Sequence, residues 1–143
     1  MFIGSYQNSI DVKSRMIIPA KYRDELGLKC VITKGIDKCL YIYPENEWEA
    51  FAEKLKALPK SDIKARNFVR HFYGNAEVCE IDRQGRVTLP QVLREYAGIS
   101  KELMTMGNGE KIEVWDRDSL DANEDTAGLD GSDIAAGMEQ YGI

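Results

Sequence analysis

Two five-residue units of this chain carry residue types and spacing that could do chemistry. Asp11-Val-Lys-Ser-Arg15 and Asp82-Arg-Gln-Gly-Arg86 share the pattern Asp-x-x-(Ser/Gly)-Arg. An aspartate heading a tight turn accepts backbone N–H bonds. An arginine ending that turn presents a planar, two-pronged cation suited to phosphate oxygens or to guanine O6 and N7. Lys13 and Arg83 lie inside the units and add positive charge. Gly85 suits a turn position with φ > 0, and Ser14 fills the matching place at some conformational cost. The candidate nucleic-acid-contacting residues are therefore Lys13, Arg15, Arg83 and Arg86. Asp11, Ser14, Asp82 and Gly85 are the candidates for shaping the turns. The same pattern also suits a plain Asp–Arg pair across each turn. Arg23 and Arg94 project from the helices that follow.

Other chemistry finds little support. His71 is the one histidine, which excludes a His-pair metal site and leaves a hydrolytic triad a single candidate base. It stands on a helix beside Arg70, Phe72 and Tyr73, a structural setting, and no Ser or Cys occupies a nucleophile motif. Cys30, Cys39 and Cys79 are odd in number and scattered, which suits a reducing cytoplasm better than a disulfide framework. Cys30 and Cys39 could meet across a hairpin, but no further metal ligands cluster with them. The carboxylates spread over helix surfaces and the tail. No catalytic residue, no metal, no cofactor and no small-molecule ligand is expected. The aromatic set Trp48, Phe51, Phe68 and Phe72 is expected as core between two helices rather than as a base-stacking platform.

The elements that position the two units are written twice. Residues Ile10 to Leu28 align without gaps on Ile81 to Ile99, at an offset of 71. Ile10, Asp11, Arg15, Pro19, Arg23 and Gly27 recur as Ile81, Asp82, Arg86, Pro90, Arg94 and Gly98. Each copy reads as a strand, the tight turn, a short apolar strand, a proline-led helix stopped by glycine, and two further strands. The first copy predicts strands at 6–10, 16–18, 30–33 and 40–43 and a helix at 21–26. The second predicts strands at 78–81, 87–89, 103–106 and 112–115 and a helix at 92–97, with a hairpin turn at Gly107-Asn-Gly109. Between the copies, Trp48, Phe51, Leu55 and Leu58 form an amphipathic helical stripe. Ser61 is the expected cap of a second helix carrying Ala65, Phe68, Val69 and Phe72, stopped by Gly74. A last short helix is expected over 117–122. The implied segments are 1–45 and 76–120 as repeats, 46–75 as connecting helices, and 121–143 as an acidic, flexible tail.

Length and charge fit this reading. The chain has 143 residues, 43% hydrophobic and 30% charged, enough for one domain or two very small ones. No apolar run reaches the ~20 residues of a membrane span, and residues 1–10 lack the features of a secretory signal. The net charge of −5 hides an asymmetry: residues 1–75 carry +4, residues 76–115 carry −2 and residues 116–143 carry −7. A basic front with an acidic tail points to a body that binds polyanions.

The tandem units, with their strand–Pro–helix continuation, resemble the MraZ family of bacterial transcription regulators. MFIGSYQNSIDVKSRMIIPAKYRDELG is similar to the family's opening, YPENEWEAFAEKLKALP to its middle helix and EIDRQGRVTLPQVLREYAG to its second motif. The resemblance covers about residues 1–120. It implies an α+β, mainly β fold: two pseudo-symmetric, swapped-hairpin AbrB-like halves forming a small barrel, with a two-helix insertion between them. It also implies a ring-shaped homo-oligomer that binds short tandem DNA repeats upstream of the division and cell-wall gene cluster, in the cytoplasm at the nucleoid and not at a membrane. The family's DNA-contacting arginine maps onto Arg15 and, by the internal match, onto Arg86. Two features depart from the family: Ser14 replaces its usual glycine, and the tail from about Asn123 has no family pattern. The rival readings are a ring-forming scaffold without specific DNA binding and an AbrB-like antitoxin. The duplication speaks against the antitoxin.

Overall fold

A computed structural model of the chain describes residues 1–126 and 128–143. The first copy forms β1 (Ser5–Ser9), β2 (Arg15–Ile17), α1 (Ala20–Leu26), β3 (Lys29–Lys34) and β4 (Leu40–Pro44). The second repeats the series as β5 (Glu77–Glu80), β6 (Arg86–Thr88), α4 (Gln91–Ala97), β7 (Glu102–Asn108) and β8 (Lys111–Asp116). The connecting helices are α2 (Glu45–Lys56) and α3 (Ile63–Tyr73), and α5 (Arg117–Asp121) follows β8. The fold is α+β and built mainly on β-sheet. No helix among the described residues is long and apolar enough to cross a membrane.

The two copies exchange partners. One sheet has the order β1-β7-β8-β4-β3-β5, which reads the same from either edge when the copies are interchanged. The first strand of each copy pairs with the third strand of the other: Tyr6 faces Thr105 and Cys79 faces Cys30. The fourth strands meet at the centre, with Ile42 opposite Ile112. A separate antiparallel ribbon joins β2 to β6. The sheet stays open, with β1 and β5 at its edges.

Side chains on the two faces of this sheet enter different cores. Ile32, Ile42, Ile112 and Val114 face the ribbon and the short helices, joined by Met16, Ile18, Val87 and Leu89. Tyr41, Tyr43 and Trp115 face α2 and α3. All five residues of β4 are buried, the composition expected of a strand covered on both sides. The aromatic set therefore packs between the helices and the sheet, not simply between two helices. The Phe51 ring stacks on Tyr43 at 5.5 Å and meets Phe72 edge-on at 4.9 Å, the geometries that ring quadrupoles favour. Phe68 is 40% exposed and lies at the margin.

Several local expectations are corrected. The cap of α3 is Asp62, not Ser61: its carboxylate accepts from the Lys64 N–H at 2.9 Å. The β7–β8 hairpin turns at Gly109 and Glu110, between the paired Asn108 and Lys111, with Gly109 at φ +73°. Gly107 lies inside β7 for another reason. A Cβ there would stand 2.4 Å from the backbone of Phe2 and Ile3, where the N-terminal segment crosses and the Gly107 N–H donates to the Gly4 carbonyl at 2.8 Å. Cys30 pairs in register with Cys79 and not with Cys39, which lies in the second core. The tail, expected as disordered or loosely docked, carries α6 (Gly131–Ala135) and a 3-10 turn (Met138–Tyr141). Asp130 and Asp133 cap each other's backbone N–H groups at 2.8 and 3.1 Å. The part of that expectation falling on Ala127 lies outside the described residues.

The close crossing at Gly107 gives a direct test. Gly107→Ala forces the Phe2–Ile3 backbone away from β7 and lifts buried Phe2 from the core, a loss of about 1–3 kcal/mol. Urea melts of the variant and the parent chain measure it.

Candidate nucleic-acid interface

Each Asp-x-x-(Ser/Gly)-Arg unit closes around one carboxylate. Asp11 Oδ1 accepts from the backbone N–H groups of Lys13 and Arg15, both at 2.9 Å, and Asp11 Oδ2 accepts from Arg15 Nε at 2.8 Å. Asp82 repeats the set with Gln84 N, Arg86 N and Arg86 Nε at 2.9, 2.9 and 2.8 Å. The Asp11 N–H donates to the Arg15 carbonyl and the Asp82 N–H to the Arg86 carbonyl, both at 2.9 Å. The backbone N–H of the terminal arginine, which favours the charged form, holds each carboxyl below the ordinary carboxylate range. Partial desolvation opposes this, and the Arg side chain and the second backbone N–H assist it.

The apex of each turn takes a left-handed backbone. Gly85 has φ +77° and Ser14 has φ +63°, and Ser14 is the one described non-glycine residue with positive φ. Each apex then reaches into the other copy. The Ile18 N–H donates to the Gly85 carbonyl at 2.8 Å, and the Leu89 N–H to the Ser14 carbonyl at 2.9 Å. Arg23 and Arg94 fold back onto this junction. Their Nε atoms donate to the carbonyls of Ile18 and Leu89 at 3.0 and 2.9 Å. The Arg23 guanidinium lies over Gly85, 2.4 Å from where a Cβ would stand. These two arginines brace the turns, a role that their recurrence at equal offset in both copies could have signalled.

The ribbon decides where the remaining arginines point. Arg15 faces Thr88, Met16 faces Val87 and Ile17 faces Arg86. Met16 and Val87 are buried in the core. Side chains alternate across a strand, so Arg15, Ile17, Arg86 and Thr88 share the opposite, outward face. Strand rise and spacing separate the two arginine Cα atoms by about 8 Å along a diagonal. Each arginine engages its aspartate through Nε, and among the described residues its Nη atoms hold no hydrogen bond. Lys13 and Arg83 are exposed on the adjoining turns. The geometry thus brings Arg15 and Arg86 onto one small face and leaves Lys13 and Arg83 on the exposed turns at its two ends. Ile17 and Thr88 were not singled out from the sequence. Their signal was the period of two in Arg15-Met16-Ile17 and Arg86-Val87-Thr88, legible once the two short strands are known to pair.

The groups considered for other chemistry sit in structural roles. His71 Nε2 lies 2.9 Å from the Gly35 carbonyl, which also accepts from the Tyr96 hydroxyl at 2.8 Å. Burial pushes the Cys30 thiol up to about 12 and the Cys79 thiol to about 11, and raises Cys39 as well. Thiols so shifted are poor nucleophiles at neutral pH. No cluster of three or more metal-ligating side chains occurs among the described residues.

Comparison with known proteins follows the same internal division. The family model described as "MraZ protein, putative antitoxin-like" matches residues 1–71 and again residues 72–138, an offset equal to that of the repeat. The Transcriptional regulator MraZ of Clostridium tetani is 46% identical over 143 residues, spanning all of both chains. That of Halothermothrix orenii is also 46% identical over 143 residues and all of both chains. That of Carboxydothermus hydrogenoformans is 48% identical over 118 residues, 82% of each chain. The tail is corrected here too: the second model match runs to residue 138, and full-length alignments pass through the segment expected to fall outside the family pattern.

Two predictions arise from the turns. Ser14→Gly relieves a left-handed φ and adds unfolded-state entropy, so the two effects nearly cancel and stability changes by only about −0.5 to +1 kcal/mol, positive values being stabilising. Gly85→Ser imposes that strain and displaces Arg23 from the Ile18 carbonyl, losing about 1–3 kcal/mol. Thermal melts of both variants check the pair. The second prediction concerns acid. A carboxyl held below its unfolded value of about 3.9 stabilises the fold above that pH, and this contribution disappears as pH falls through the lower folded value. An Asp11→Asn, Asp82→Asn double variant therefore has a flatter fall in melting temperature below about pH 4 than the parent chain.

Proposed function

The chain belongs to the MraZ family of transcriptional regulators, and from that premise we propose that it binds tandem DNA repeats in a sequence-specific manner through the outward face of the β2–β6 ribbon. The observation that carries this reading is the shared face of Arg15 and Arg86. Two guanidinium groups on one narrow ribbon, each steadied by an aspartate, suit the major groove, which admits a two-stranded β-ribbon. With Nε fixed by Asp11 or Asp82, the Nη atoms are left for guanine O6 and N7 or for phosphate. Lys13 and Arg83 add phosphate contacts at the flanks. Asp11, Ser14, Asp82 and Gly85 are positioning residues. The partner exchange between copies supports the swapped-hairpin, AbrB-like arrangement, with 1–45 and 76–120 as its halves, 46–75 as connecting helices and 121–143 as an acidic tail.

Residues 1–115 carry a net charge of only +2. One ribbon then offers few phosphate contacts, and tight binding calls for several ribbons on several repeats at once. A ring-shaped homo-oligomer supplies that arrangement, and promoter repeats ahead of the division and cell-wall genes supply the target. The site of action is the nucleoid in the cytoplasm.

Fluorescence anisotropy with DNA from upstream of the chain's own gene tests this reading. Arg15→Ala and Arg86→Ala each weaken binding to the repeats by about 1–3 kcal/mol and weaken binding to random DNA less. A probe with one repeat binds far more weakly than one with three or four at native spacing. Unchanged affinity in both variants, with native melting behaviour, overturns the DNA reading and leaves the ring-forming scaffold.

A further inference from the structure

The ribbon leaves one feature of the molecule unused. A groove of about 350 Å³ runs between α2 and α3. Leu55, Leu58, Val69 and Tyr73 form its apolar wall, and Lys56, Lys60, Arg66 and Arg70 line its rim without an acidic residue. Such a groove suits an amphipathic segment with apolar anchors and negative charge. A DNA backbone would use the rim and waste the apolar wall.

The same chain holds a segment of that chemistry. Residues 123–143 contain Glu124, Asp125, Asp130, Asp133 and Glu139 and no basic residue, a charge of −5. Within it Leu129, Ile134, Tyr141 and Ile143 stand exposed, Ile134 at 63% and Tyr141 at 68%. One chain therefore displays both an apolar groove with a basic rim and an acidic tail with apolar side chains directed to solvent. Each leaves apolar surface in water that the other would cover.

We propose that the α2–α3 groove receives residues 129–143 of a second copy of this chain. The apolar side chains of the tail fill the groove, and Asp130, Asp133 and Glu139 meet the basic rim. The contact is head-to-tail, because groove and tail are different surfaces. Contacts of that type generate rings when the rotation closes. The inference rests on the self-assembly in the proposed function and names the surfaces that carry it.

Photo-crosslinking of the full chain tests it. The photoreactive residue p-benzoylphenylalanine replaces Ile134, the protein is illuminated, and the products are separated in denaturant and mapped by peptide mass. Covalent dimers joined to peptides from residues 55–73 are the expected result. Arg66→Glu with Arg70→Glu lowers the dimer yield at least fivefold, and adding Asp130→Lys with Asp133→Lys restores it. The restoration separates charge pairing from misfolding. Adducts on the groove within a single chain overturn the proposal in favour of a tail that folds back. Adducts elsewhere, or none, overturn it outright. A loss of DNA affinity in the charge-reversed variant with undiminished dimer yield also overturns it, because the rim then serves DNA. Light scattering on the same samples separates the two readings: an assembly that lacks groove adducts overturns this contact alone, whereas a monomer overturns the assembly as well.

Discussion

The β2–β6 ribbon, three residue pairs long, ties the two copies of the repeat to each other. Met16 and Val87 point inward and close the core beneath the sheet. Arg15 and Arg86 point outward from the same strands. At the ends of the ribbon the Ile18 and Leu89 N–H groups bond the turn apices of the opposite copy. A short two-stranded ribbon is marginal alone in water. Here it persists because its inner side chains are buried and its turns are pinned at both ends. The arginines inherit that rigidity, each held at Nε by the aspartate of its own turn.

The two turns reach one geometry by different means. Gly85 meets the left-handed conformation without a side chain, and Arg23 lies in the space so left. Ser14 takes the same conformation with a Cβ. The carboxylate of Asp11 still gathers its three donors at distances matching those around Asp82 to within 0.1 Å. The hydrogen-bond ring, rather than the apex residue, therefore dictates the shape of the turn. The aspartate serves twice: it folds the loop through backbone donors and aims the guanidinium through Nε.

The insertion between the copies gives the sheet its second covered face. Tyr41, Tyr43 and Trp115 would be large apolar groups in water without α2 and α3. Burial of side chains of this size contributes about 1.5–3 kcal/mol each. The helices also break the pseudo-symmetry of the two copies, since among the described residues the helices that follow β8, α5 and α6, have five residues each against twelve and eleven in α2 and α3. One side of the sheet is thereby committed to the ribbon and its arginines, and the other to helices that present a groove with a basic rim.

The sequence by itself determined what is local or repeated. Turn residues, helix stops and apolar periods are read from neighbouring positions, and the offset of 71 doubled every such signal. Asp11, Arg15, Asp82 and Arg86 were legible as functional candidates because an Asp-headed turn ending in arginine needs those types at that spacing. Even the strained Ser14 was visible, as the position where Gly85 stands in the other copy. What the tertiary structure alone decided is who pairs with whom. Strand partners lie up to about a hundred residues apart, and nothing in Arg15-Met16-Ile17 names Arg86-Val87-Thr88 as its neighbour. The pairing set Cys30 against Cys79, placed Ile17 and Thr88 beside the arginines, and turned Arg23 and Arg94 from exposed cations into braces. Gly107 belongs to the same class: its need for a bare Cα comes from a backbone crossing a hundred residues away. Local chemistry fixes the options of each segment, while burial of shared apolar surface selects among them only once the whole chain has closed.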